Sequence, residues 1–179
     1  MDKTLSIING LKESGLIKEF AIGGGIATIF YVEPILTYDL DVFYITGEEE
    51  RGLITLSPIY NWLKERGYKP HKEHIMIEGI PVQFIPVYNK LIQEAVKNAV
   101  IVKYKNVKTR IIRAEDLIAI MLDTFRAKDR ERIIKFLDES KIDISYLTKV
   151  LQKHRLWEKF KNFRKLYYEK YKKRDRKDI

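Results

Sequence analysis

The chain contains no cysteine. That excludes disulfides, thiolate metal sites and a thiol nucleophile, and it removes any sign of an oxidising compartment. No apolar run approaches the roughly twenty residues a spanning helix needs, so no membrane partner is expected. The N-terminus MDKTLSIINGLKES has an acid at its second position and no small-residue cleavage site, so no signal peptide is expected either. These absences together point to a cytoplasmic protein. Histidine is scarce, at three residues, and only His71 and His74 lie close together. The Lys-Glu between them and the strand beginning there argue against a histidine metal pair. No internal repeat is visible.

What is present describes a globular chain. Hydrophobic residues make up 45% of the 179, enough to bury a core in one domain, or in one domain with a small helical appendage. Abundant Lys, Glu, Ile and Tyr is the composition that hyperthermophiles favour. The formal charge of +9 is uneven: from Arg155 to Ile179 there are eleven Lys or Arg against four acids, leaving only +2 for everything before. Such a tail attracts polyanions, nucleic acid being the usual partner, or else forms a solvated, fraying helix face.

Hydrophobic periodicity divides the chain. Leu5, Ile7, Ile8 and Leu11 predict a helix closed near Ser14-Gly15, followed by a strand at Glu19 to Ile22, a brief helix from Ile26 to Tyr31 stopped by Pro34, and a strand from Asp39 to Ile45. Glu48, Glu49 and Glu50 mark a loop, and Pro58, Ile59, Leu63 and Gly67 delimit a helix. HKEHIMIEGIPVQFIPV predicts a hairpin, with strands at His74 to Ile77 and Pro81 to Ile85 around Glu78-Gly79. A helix carrying Leu91, Ile92, Ala95 and Val96 leads to a strand near Val107 to Ile112, and from Glu115 onward the pattern is helical. The expectation is an α+β fold, close to α/β: a mixed sheet flanked by helices over 1–112, and a helical region with a basic tail over 113–179, packed together as one unit.

The stretch GGGIATIFYVEPILTYDLDVFYI carries the chemistry. On a strand, Asp39 and Asp41 project to one face while Leu40 and Val42 point to the other. Their Cα atoms then lie roughly 7 Å apart, and at an effective dielectric of about 20 two bare charges repel by about 2 kcal/mol. A hard divalent cation relieves this; Mg²⁺ commonly takes one or two carboxylates and completes its shell with water and substrate phosphates. The glycines complement the pair, because a loop without Cβ atoms, ahead of a helix N-terminus, lets backbone N–H groups approach a phosphate.

These residues resemble the DNA polymerase β-like nucleotidyltransferase superfamily, in which a Gly-Gly or Gly-Ser pair precedes an Asp-x-Asp or Asp-x-Glu strand. Taking Gly24-Gly25 as the pair leaves thirteen residues before Asp39. Gly24, Gly25 and Ala27, with Thr37 two residues before Asp39, are most similar to the AbiEii/AbiGii toxin-like branch. EDLIAIMLDTFRAKDRERI resembles that branch's helical segment, with Leu117, Arg126, Lys128 and Asp129 in register. The resemblance spans roughly residues 15–137. It implies a nucleotidyltransferase fold and transfer of a nucleoside monophosphate from an NTP to an acceptor, with Asp39 and Asp41 as catalytic residues and ligands of Mg²⁺ or Mn²⁺. It also implies a catalytic Lys128, and Gly24, Gly25, Thr37, Arg126 and Asp129 at the nucleotide. The chain departs from the pattern where the family's helix lysine falls on Met121, a later acid on Arg132, a third carboxylate on Gln83, and the arginine before the Thr-x-Asp-x-Asp group on Ile35. Glu73 or Glu78 could replace the third carboxylate.

With the basic tail, the acceptor expected is RNA, such as a tRNA end, or a protein hydroxyl, and a cognate toxin or antitoxin protein is a further partner the resemblance allows. Two alternatives stay open: a binding module that keeps the fold without the chemistry, and an enzyme that nucleotidylates a small hydroxylated molecule such as an antibiotic. Trp157, Phe160, Phe163, Tyr167, Tyr168 and Tyr171 interleave with basic residues, which suits base stacking as well as core packing.

Overall fold

A computed structural model describes residues 1–46 and 56–169. The acidic loop expected at Glu48–Glu50 and the tail from Lys170 lie outside the described residues. The chain divides into two compact units. One comprises Met1–Phe30 and Pro34–Arg113; the other comprises Tyr31–Glu33 and the described residues from Ala114 onward.

The first unit holds one seven-stranded sheet. Its strands are β1 (Glu19–Ile22), β2 (Leu40–Ile45), β3 (Pro70–His71), β4 (His74–Ile77), β5 (Ile80–Pro86), β6 (Val100–Tyr104) and β7 (Val107–Ile111), in the order β3-β4-β5-β2-β1-β7-β6. β1 is antiparallel to β2, while β1–β7 and β2–β5 are parallel, so the sheet is mixed and the α+β expectation holds. The sequence reading lacked β3 and β6. β3 has only two residues, and β6 lies at the end of the sheet with most of its side chains at least partly exposed, so neither shows the alternation that marks a half-buried strand.

Helices cover this sheet. α1 (Asp2–Glu13) buries Leu5, Ile8 and Leu11 with Thr4, as its apolar spacing dictates. Thr4 donates to Ile77 O at 3.2 Å, and Asn9 donates to Lys108 O at 2.9 Å, so α1 is pinned at two separated strands. α2 (Gly24–Ile29) begins two residues earlier than the sequence suggested, which places two glycines inside its first turn. α3 (Ser57–Glu65) starts with Pro58 and buries Ile59 and Leu63; α4 (Lys90–Lys97) is capped by the Asn89 side chain, which accepts from Ile92 N at 2.8 Å. No described helix is long and apolar enough to cross a membrane.

The second unit is helical: α5 (Ala114–Thr124), α6 (Ala127–Glu139), α7 (Ile144–Lys153) and α8 (Trp157–Phe163), continued by a π-helical turn over Arg164–Tyr168. Its core includes Leu117, Ile118, Leu122, Ile133, Phe136, Leu147, Leu151 and Phe163. The short Tyr31–Glu33 segment joins it through the Tyr31 ring, 6.0 Å from Phe136, and through Glu33 N, which donates to the Glu139 carboxylate at 2.9 Å. Asp143 caps α7 by accepting from Tyr146 N at 2.9 Å, while buried Glu115 accepts from Asp143 N at 2.8 Å.

Arg110 is the polar tie of the first unit. It pairs with Glu19 and donates to Phe20 O at 3.3 Å, Val96 O at 3.0 Å and Lys97 O at 3.1 Å, joining β7, β1 and the last carbonyls of α4. Arg110→Met is expected to lower unfolding stability by about 2 kcal/mol, because it removes the guanidinium paired with Glu19 and its bonds to three carbonyls. Urea unfolding followed by circular dichroism measures this, and Arg110→Lys should recover only part of it.

Candidate active site

The site is assembled where β1 ends against β2. In β2, Leu40, Val42 and Tyr44 point to one face of the sheet and Asp41 and Phe43 to the other. Gly23 N donates to Asp41 O at 2.9 Å, so the chain stays bonded to β2 until it turns into α2. A Cβ at Gly23 would stand 2.4 Å from the Phe43 ring. At Gly24, where φ is +56°, a Cβ would fall 1.7 Å from an Asp41 carboxylate oxygen. Gly24 therefore has two reasons to be glycine: the left-handed backbone, and the carboxylate lying directly against it. Gly25 is buried within the first turn of α2. Gly23 was missed as a site residue, because its constraint comes from the ring of Phe43, twenty positions away.

Sheet register gathers the rest. Asp41 lies opposite Gln83 on β5, so the position expected for a third carboxylate carries a neutral amide beside the aspartate. Ile75 pairs with Val82, and the antiparallel ladder continued by one residue sets His74 beside Gln83. His71 lies opposite His74 on β3. Asp39 immediately precedes β2; its carboxylate is half-exposed, with His74 Nε2 at 3.7 Å, beyond hydrogen-bond distance but near enough to pair when the imidazole is charged. Thr37 Oγ1 donates to Asp39 Oδ1 at 3.5 Å, the outer limit of a hydrogen bond. The structure thus brings Asp39, Asp41, Thr37, Gly24, Gln83 and His74 to one end of one sheet. Sequence spacing did not associate His74 with Asp39, because the two are joined only through β5. Glu78 accepts from Tyr68 Oη at 2.9 Å, and Glu73 lies exposed between β3 and β4. Among the described residues, no group of three or more His, Asp or Glu is arranged to hold a metal ion. Two carboxylates with hard oxygen donors still match the protein share of a Mg²⁺ or Mn²⁺ site whose remaining ligands are water and phosphate.

The other expected residues belong to the second unit. Asp129 is almost wholly buried at the start of α6 and accepts from Thr124 Oγ1 at 2.7 Å, from Arg126 Nε at 2.8 Å and from Arg126 N at 3.2 Å. Its carboxylate therefore caps the α5–α6 turn. Burial alone would push its pKa up, but the bonds from Arg126 and Thr124 and the Arg126 charge outweigh burial and hold it below the usual value. The Arg126 side chain is 60% exposed beyond this pairing, and Lys128 is exposed in the first turn of α6. Met121, where the family pattern has lysine, is a core residue. Phe125, at the turn, adopts φ +55° and stacks edge-on with Phe163 and Tyr167.

No protein-family model matches this chain, and no curated protein matches it by sequence. Solved structures do match by fold. The crystal structure of an antigenic nucleotidyltransferase-like protein from Paracoccidioides brasiliensis is 14% identical, with a TM-score of 0.53 over 85% of this chain and 87% of that one. The solution structure of the antibiotic-resistance factor ANT(2'')-Ia is 14% identical, with a TM-score of 0.43 over 99% of this chain and 98% of that one. A crystal structure of ANT(2'')-Ia in complex with adenylyl-2''-tobramycin is 13% identical, with a TM-score of 0.45 over 91% of this chain and 98% of that one. The likeness to the first is one of fold: the chain has a nucleotidyltransferase-like α+β architecture.

Two outcomes follow from this geometry. Gly24→Ala should destabilise the chain by about 2 kcal/mol, since both backbone and carboxylate must yield; in a urea double-mutant cycle, adding Asp41→Ala should return part of that loss. Asp129→Asn should cost about 2 kcal/mol at neutral pH. Because the folded carboxyl titrates below its unfolded value of about 3.9, the stabilisation is complete above that pH and fades as pH falls through the lower folded value. The gap between parent and variant unfolding curves should therefore shrink below about pH 4.

Proposed function

We propose that this chain is a metal-dependent nucleotidyltransferase that moves a nucleoside monophosphate from an NTP to an acceptor hydroxyl. The observation that carries this reading is the packing of Gly24 onto the Asp41 carboxylate, with Asp39 two residues before it. Asp39 and Asp41 would hold Mg²⁺ or Mn²⁺. The bound cation would neutralise triphosphate charge and lower the pKa of an attacking hydroxyl. Gly24, left-handed and without a Cβ, lets the Asp41 carboxylate lie directly against its backbone, which holds that acid in place for the cation. Thr37 orients Asp39 by its hydroxyl. Gln83, neutral and in register with Asp41, orients water or substrate without adding negative charge. The basic C-terminal sequence favours RNA over a small acceptor.

Two observations favour a second reading. With Gln83 where a third carboxylate would stand and Met121 in the core, the fold suits a module that binds nucleotide and metal without turnover.

The test supplies each of the four α-labelled NTPs with Mg²⁺ or Mn²⁺ to the full chain, with bulk RNA or the protein itself as acceptor. Transfer is expected, and Asp39→Asn and Asp41→Asn should each reduce it at least about a hundredfold with circular dichroism unchanged. Transfer that survives both substitutions overturns the reading. Calorimetry showing Mg²⁺-dependent NTP binding without transfer selects the module.

A further inference from the structure

The second unit contains a cavity of about 190 Å³ formed by α6, α7, α8 and the π turn. Trp157, Phe160 and Tyr168 line it with Leu137, Leu147 and Arg164. The Trp157 and Phe160 rings lie 6.0 Å apart and are inclined at 35°, and Tyr168 Oη donates to Leu137 O at 3.4 Å, so three aromatic groups are fixed by their own packing. Arg164 is the one charged residue of the lining, and it is exposed. No carboxylate shares the lining with it.

The backbone contributes as well. Arg164–Tyr168 forms a π turn, a rare arrangement that recurs where a helix re-aims side chains at functional sites. Here α8 and its π continuation carry two aromatic groups. Phe163 and Tyr167 stack on each other at 5.5 Å and meet Phe125, with Arg130 and Lys159 over that ring at 5.3 and 4.7 Å. Trp157, Phe160, Arg164 and Tyr168 line the cavity. The first group satisfies itself; the second leaves an aromatic-walled space with a guanidinium at its border.

We infer that this cavity receives one unstacked base of a single-stranded nucleic acid, with Arg164 on the adjoining phosphate. Aromatic walls accept any base through its π face, and a planar guanidinium grips a phosphate, so the chemistry selects an extended strand rather than a sequence. Charge favours a polyanion: between Arg155 and Glu169 there are five basic residues against two acids, and the sequence beyond adds six against two. A duplex, whose bases are stacked and paired, has nothing to insert. As a binding site the cavity stands on the second unit alone; only the further meaning, that the bound strand is the acceptor, rests on the reading above.

The experiment uses the full chain carrying Asp39→Asn and Asp41→Asn, so that failure of transfer chemistry cannot affect the result. Anisotropy of labelled RNA and DNA single strands of about twelve nucleotides is compared with the matching duplex and with inorganic polyphosphate. In a Trp62→Phe background, where emission reports Trp157, adding a single strand should quench fluorescence. Trp157→Leu and Arg164→Glu should each weaken single-strand binding about tenfold, with circular dichroism unchanged, and Arg164→Glu should lower the salt slope by about one. Lys165→Glu, beside Arg164 but outside the cavity lining, should weaken binding less and leave the Trp157 quench in place. The inference is overturned if duplex or polyphosphate binds as tightly as the single strand, if Trp157 emission does not change, or if both cavity variants bind like the parent. RNA binding tighter than DNA would support it with a 2′-hydroxyl contact, and equal binding would support it without one.

Discussion

The geometry of the first unit depends on the missing Cβ atoms at Gly23 and Gly24. β1 and β2 are bonded up to Gly23, and the chain must then leave the sheet within one residue to start α2. A side chain at position 23 would occupy the Phe43 ring, and one at 24 would occupy the Asp41 carboxylate. The same two absences fix where Asp41 sits, how soon α2 begins and how near another group can approach the carboxylate. What looks like a flexible glycine run is a close-packed contact, and its tightness keeps the acid in one place.

Much of this was readable in advance, for identifiable reasons. β2 could be read because a run rich in β-branched and aromatic residues follows the two acids, and the place of Gln83 because buried Val82 and Phe84 flank it on β5. Gly24 was legible as a glycine with a purpose, but not the purpose itself, which is set by Asp41 across the β1–β2 pair. Gly23 and His74 were not legible, because both are defined by partners brought together through sheet order. β6 escaped because an edge strand with exposed side chains has no burial pattern to read.

Asp129 illustrates a different limit. The resemblance of its Arg-x-Lys-Asp sequence associates it with nucleotide, and the fold buries it under Thr124 and Arg126 as the cap of α6. The same few residues build a turn, and the turn presents their neighbours. Lys128 is exposed one residue earlier for that reason, so the buried acid and the exposed cation are parts of one local structure.

The outermost strand has a consequence for the molecule in company. β6 ends the sheet with Val100 and Ile101 exposed on its two faces and its far hydrogen-bonding edge without a neighbouring strand among the described residues. Lys103 stands exposed on the same strand, a positive charge of the kind that opposes a second molecule approaching to extend a sheet, while Lys105 in the turn beyond pairs with Asp2. That protection is electrostatic and therefore screened by salt, whereas the attraction between outward Ile101 side chains is not. The edge of this sheet is therefore guarded more weakly at high ionic strength than at low.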